Sequence, residues 1–138
     1  MSAYNKFNQF SRDLLEAKHN FAINTFRVLL TDDEPAATNA VRADIIEIAA
    51  GNGYTAGGEI STMTLSATDG VTKVVGSTVV FTAAGGSIGP FRYAVLYNDT
   101  AAGDPLVCWF DYGSTVSLAD TEQFTVSFDA SAGIFTLS

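Results

Sequence analysis

The sequence predicts a mainly β protein: a jelly-roll-like antiparallel β-sandwich carrying one short N-terminal α-helix. Three observations lead there. From Asn24 onward apolar residues recur at every second position, the period of a half-buried strand. Turn chemistry interrupts the chain about every ten residues, the spacing of a sandwich or jelly roll rather than a parallel α/β sheet. The first twenty residues carry a helical period instead.

In that first stretch Phe7, Phe10, Leu14 and Leu15 fall at helical spacing, with Asn8, Gln9, Arg12, Asp13 and Glu16 on the other faces. The spacing predicts a helix over about residues 4–18. Two roles are open to it: a cap on one end of the sandwich, or an arm docking on a neighbouring subunit. His19 follows, placed to meet the last helix carbonyls. The domain reading is therefore an N-terminal amphipathic helix or arm, 1–20, and a single β-sandwich domain, 21–138.

Phe26, Val28 and Leu30 alternate with Thr25, Arg27 and Leu29 in the first strand, which Asp32-Asp33-Glu34-Pro35 ends. Residues 36–50 suit either a short helix or a strand, because Val41, Ile45, Ile46 and Ile48 fit both periods. Strands are then expected at 58–67, 71–76, 78–83, 91–98, 105–111, 114–118, 123–129 and 133–137. Asp69-Gly70, Gly85-Gly86, Gly89-Pro90, Gly103-Asp104-Pro105, Gly113 and Ala132-Gly133 turn the chain between them.

The segments 91–97 and 106–112 are apolar on both faces, so they are expected to be central, and their short connection makes them antiparallel neighbours. Strict alternation puts Phe91, Tyr93, Val95 and Tyr97 on one face, opposite Arg92, Ala94 and Leu96. It likewise groups Leu106, Cys108, Phe110 and Tyr112 against Val107, Trp109 and Asp111.

At 138 residues the chain has the length of one domain, and its single cysteine, Cys108, has no intramolecular partner, so apolar burial rather than disulfides must stabilise it. No window approaches the roughly 18 consecutive apolar residues of a membrane-spanning helix, and no export signal opens the chain, so synthesis in the cytosol without export is expected. The formal charge is −8: residues 43–138 hold only Lys73 and Arg92 against ten carboxylates. Nucleic-acid binding needs clustered Lys and Arg to displace phosphate counterions, and an acidic body argues against it.

Catalytic and cofactor chemistry finds little purchase. Gly51-Asn52-Gly53-Tyr54-Thr55-Ala56 has dinucleotide-binding spacing, but strand-like sequence follows it where a helix is required, and the glycines read as turn positions. His19 is the only histidine and Cys108 lies mid-strand, which disfavours a nucleophile–base pair and leaves too few ligands for zinc. Asp32, Asp33 and Glu34 carry no spaced calcium motif and read as a solvated turn. An Asp99–Asp111 carboxylate pair depends on tertiary separation. No catalytic residue, cofactor or metal is expected. Trp109, Tyr93, Tyr97 and Tyr112 serve either as core or as an aromatic platform for a sugar or a protein partner.

Four stretches carry a resemblance. Ile48–Gly58, Ala84–Thr100, Pro105–Ser114 and the entry Asn5–Thr31 look like small virion structural proteins of tailed bacteriophages, over nearly the whole chain. The resemblance implies a non-enzymatic capsid cement, or decoration, protein with a jelly-roll-like sandwich. Such a protein sits on the outer surface of the head and clamps neighbouring major capsid protein subunits, as a dimer or trimer, without nucleic acid or membrane. It implies synthesis in a bacterial cytoplasm and residence on the capsid. The alternative is a tail or baseplate component that recognises host glycans through Tyr97 and Trp109. The family supplies no transferable binding residues. On physical grounds the partner-interface residues are Tyr4, Phe7, Phe10, Leu14, Tyr97 and Trp109.

Overall fold

The computed structural model describes residues 3–138. The chain runs through β1 (Asn5–Lys6), α1 (Asn8–Leu15), β2 (Phe26–Thr31), β3 (Glu59–Ser61), β4 (Met63–Thr68), β5 (Val71–Gly76), β6 (Val79–Thr82), β7 (Ile88–Asn98), β8 (Leu106–Leu118), β9 (Gln123–Val126) and β10 (Phe135–Leu137). All pairings between these strands are antiparallel. A five-stranded sheet, β1-β8-β7-β2-β3, faces a three-stranded sheet, β10-β5-β4, and a two-stranded sheet, β6-β9. The protein is thus a mainly β, layered antiparallel fold with one short helix, as the period-two pattern predicts.

Between the layers lies the main core, with Phe26, Val28 and Leu30 of β2, Ala94 and Leu96 of β7, Phe81 of β6 and Val74 of β5. Phe21 stacks on Phe26 with ring centroids 4.4 Å apart. Such burial contributes roughly 1.5–3 kcal/mol per large apolar side chain.

The helix is shorter than predicted at both ends. Asn5 and Lys6 are extended, pairing with Trp109 and Cys108 of β8. At the other end Ala17 adopts a left-handed φ of 62°, and the Lys18 N–H returns to the Asp13 carbonyl at 2.9 Å, closing the last turn. Phe7 and Phe10 are buried, so the helix caps the sandwich and is built into the domain; of the arm expected over 1–20, residues 1–2 lie outside the described residues. Asp13, expected on the wet side, is also buried, accepting a hydrogen bond from Gln9 and forming an ion pair with Lys18, while Leu15 points to solvent. His19 does not meet helix carbonyls. Its Nδ1 accepts from the Asn98 side-chain amide, 3.2 Å away, among Phe10, Phe21 and Phe26.

β7 and β8 are central antiparallel neighbours, as expected, but three register shifts break their alternation, two of which reverse expected faces. Leu96 pairs with Cys108 and Tyr97 with Leu106, so Val107 is an extra residue. Leu106 therefore faces the side of Val95 and Tyr97, and Val107 joins Cys108 and Phe110 in the main core. Further along, Phe91 pairs with Val116 and Tyr93 with Asp111, so two steps on β7 match five on β8. Phe91 consequently shares the face of Ala94 and Leu96, not that of Tyr93. The segments expected as 105–111 and 114–118 are one bulged strand.

The ambiguous segment 36–50 is neither helix nor strand, apart from one 3-10 turn, Arg42–Asp44. With its neighbours to Gly58 it covers the outer face of the large sheet, where Phe7, Leu29, Ile45, Val95, Tyr97 and Leu106 form a second core. Glu47 holds this cover down: its carboxylate accepts from Tyr54 Oη at 2.5 Å, from the Gly57 N–H at 2.6 Å and from Arg42 at 3.0 Å. At Gly58, where the cover rejoins the sheet with φ +79°, a Cβ would sit 1.8 Å from the Val28 carbonyl oxygen, so only glycine fits.

Candidate interaction surface

The six residues expected at a partner interface are divided by the fold. Phe7 and Phe10 are interior, and Phe7 packs against Trp109 at 4.6 Å. Tyr97 is fully buried, its hydroxyl donating to the Gly57 carbonyl at 2.6 Å, and burial pushes its pKa up to about 12. These three are not available to a partner. A sugar platform of Tyr97 and Trp109 is likewise closed, since Tyr97 lies beneath the covering segment. Tyr4, Leu14 and Trp109 are half-buried: Tyr4 packs edge-on to Phe110 and near Phe135, and Leu14 rests on the main core.

An aromatic-walled concavity lies elsewhere, beside the large bulge of β8. It is a groove of about 270 Å³ between β7–β8 and β9, walled by Phe91, Phe110, Tyr112, Phe124, Val126 and Phe128. Bulging is what opens it. The extra residues after Asp111 carry Tyr112 outward, where it meets Phe124 edge-on at 5.2 Å and remains 55% exposed. Phe124 in turn packs on Phe91 at 4.9 Å, giving rigid aromatic walls.

Charge at the rim is neutralised internally. Arg92 grips Asp111 with two bonds, 2.8 and 3.1 Å, and lies over the Tyr93 ring. The Arg92 guanidinium, followed by the Gly113 N–H, holds the Asp111 carboxyl below the usual carboxylate range. An apolar pocket with a polar, self-satisfied rim is suited to receiving an apolar or aromatic side chain. Sequence reasoning named Tyr112 as a candidate aromatic, but strict alternation hid the groove because a bulge leaves no mark in a hydrophobic pattern.

The chemical candidates resolve as follows. Asp99 is bonded to Arg27 at 2.8 Å and lies about six residues along β7 from the Asp111 pairing, roughly 20 Å at the rise of a strand. That exceeds the spacing of a glycosidase carboxylate pair. Gly51 and Tyr54 close a tight turn with no helix after it, so no pyrophosphate cradle forms. Among the described residues no three His, Cys, Asp or Glu side chains stand close enough to hold a metal ion. Cys108 is buried, and burial pushes its thiol pKa up.

A second, shallower cleft of about 280 Å³ lies between the α1 end and the inner side of the three-stranded sheet, lined by Leu14, His19, Phe21, Leu65 and Leu137. Leu65 and Leu137 in its wall are exposed. No family model, curated protein or solved structure matches the chain.

Proposed function

We propose that this chain is a non-enzymatic virion protein of a tailed phage that binds the outside of the head and cements neighbouring major capsid protein subunits. The aromatic groove beside β9 is the observation that carries the reading, taken together with the likeness of Ile48–Gly58 and Ala84–Thr100 to phage structural proteins. A coat subunit presents an aromatic or aliphatic side chain, which fills the groove between Tyr112 and Phe124 and is desolvated there. Interfaces of this kind concentrate their energy in a few buried aromatic contacts. Because the contact exists only on the assembled shell, it stabilises the lattice by mass action against outward pressure. Support also comes from the ionic side chains: Arg27, Arg42 and Arg92 each pair within the chain with a carboxylate that would otherwise be free for acid–base work.

The test is binding of the purified protein to shells that lack it. Tyr112→Ala and Phe124→Ala are expected to weaken decoration at least tenfold, roughly the 1.4 kcal/mol that a tenfold change represents, while the cooperative unfolding transition persists. Undiminished decoration by both variants would refute the groove as the shell contact. Copy number checks location: cement matches the number of coat subunits, whereas a tail component is present in a handful of copies per particle.

A further inference from the structure

Among the described residues strand β4 is a free edge. It pairs with β5 on one side only, residue for residue from Met63–Gly76 to Thr68–Val71 without a bulge, and five of its six residues are exposed. Proteins ordinarily block such an edge with lysine, proline, an irregularity or a covering element, because unpaired N–H and C=O groups are a template for another strand. Met63-Thr64-Leu65-Ser66-Ala67-Thr68 has no charge and no proline. Its two sides also differ: Leu65 lies in register with the core residues Val74 and Phe135, whereas Ser66 and Thr68 face the polar surface shared with Lys73 and Thr136.

We infer that β4 is a self-pairing edge, through which two copies of this chain join antiparallel about a two-fold axis normal to the sheet and double the three-stranded sheet. Two properties select a second copy as the occupant. The first is self-complementarity. With the axis at Leu65, Leu65 faces its own symmetry mate and Met63 faces Ala67, while Thr64 faces Ser66 on the polar side. With the axis at Ser66, Leu65 faces Ala67 and Thr64 faces Thr68. Either register matches apolar with apolar and hydroxyl with hydroxyl, as an isologous contact requires.

The second is charge. Each copy carries −8, and β4 is a stretch where two such molecules can approach without setting carboxylates against one another. The exposed Leu65 places apolar surface at the junction itself. The pairing does not depend on the virion reading. If both hold, a dimer with one aromatic groove per copy grips two coat subunits at once, and its avidity exceeds that of either groove.

Light scattering on the eluting full-length protein is expected to give twice the chain mass at high micromolar concentration. Leu65→Lys sets two like charges across the axis and is expected to weaken dimerisation at least a hundredfold. Thr64→Lys, which sets an ammonium against Ser66 or Thr68 of the other copy in place of a hydroxyl pair, is expected to weaken dimerisation at least tenfold and serves should Leu65→Lys fold poorly. Oxidised Leu65→Cys or Ser66→Cys is expected to give a covalent dimer, the reactive position reporting the register; Cys108 is too deeply buried to compete. A monomeric wild-type protein, a dimer that survives both lysine variants, or failure of both cysteine variants to cross-link would overturn the inference.

Discussion

The two faces of the five-stranded sheet are covered by different means. On the inner face, regular strands bring Val74, Phe81 and Val126 against Phe26, Leu30 and Leu96, and the contact is apolar and non-directional. On the outer face an irregular chain lies over Leu29, Val95, Tyr97 and Leu106, held by directional bonds to Glu47, Tyr54 and Tyr97. A strand layer satisfies its own backbone and can rely on burial. An irregular cover leaves backbone groups without ladder partners, so its attachment must be supplied by side-chain hooks.

The largest blow to the inner face comes from Phe26→Ala, which removes a fully buried ring stacked on Phe21. The expected loss is about 3–5 kcal/mol of global stability, read as a lower urea midpoint. A loss below about 1 kcal/mol would mean that the site collapses and that the layers are not close-packed there.

Glu47→Ala addresses the outer face. It strands Tyr54, Gly57 and Arg42 at once, and the expected cost is about 2–3 kcal/mol. Amide exchange should accelerate in residues 40–58 ahead of β7, because the cover detaches before the sheet opens. Equal acceleration throughout would show that the cover and the sheet unfold as one unit.

His19 sharpens the contrast through pH. Burial, partly opposed by the Asp13 carboxylate and reinforced by Lys18, lowers its pKa from 6.5 to about 4. Its Nε2 has no hydrogen-bond partner among the described residues. The unfolded chain therefore binds a proton more readily, and the native state's advantage, complete above about pH 6.5, is lost as pH falls toward 4. Between pH 7 and pH 5 the linkage amounts to roughly 2 kcal/mol. His19→Phe should flatten that part of the stability profile, whereas Glu47→Gln should leave it in place. Identical slopes for the wild type and His19→Phe would remove His19 as the cause.

The smallest expected effect is that of Tyr97→Phe, which deletes one hydroxyl bond to the Gly57 carbonyl and keeps the ring. About 1 kcal/mol should be lost, detectable as a modest shift in the denaturation midpoint.

The inner face was legible in the sequence because alternation follows burial: Phe26, Val28 and Leu30 read inward and are inward. The helix was legible in its apolar stripe and not in its limits, since β1 pairing and the left-handed Ala17 are imposed by context. The outer cover was illegible, because Val41, Ile45, Ile46 and Ile48 fit several periods and belong to none. Bulges at Val107 and after Asp111 reversed the expected faces of Leu106 and Phe91. Of the expected contact residues, Phe7, Phe10 and Tyr97 are bulky aromatics that the interior took, and hydrophobicity alone does not distinguish a core ring from one reserved for a partner.

Cys108 lies near the start of β8, between β1 and β7, and is fully enclosed. A thiol so placed is silent toward alkylating reagents until the sheet itself parts. Its labelling rate is therefore a built-in clock for whole-molecule opening, deaf to loosening of the outer cover.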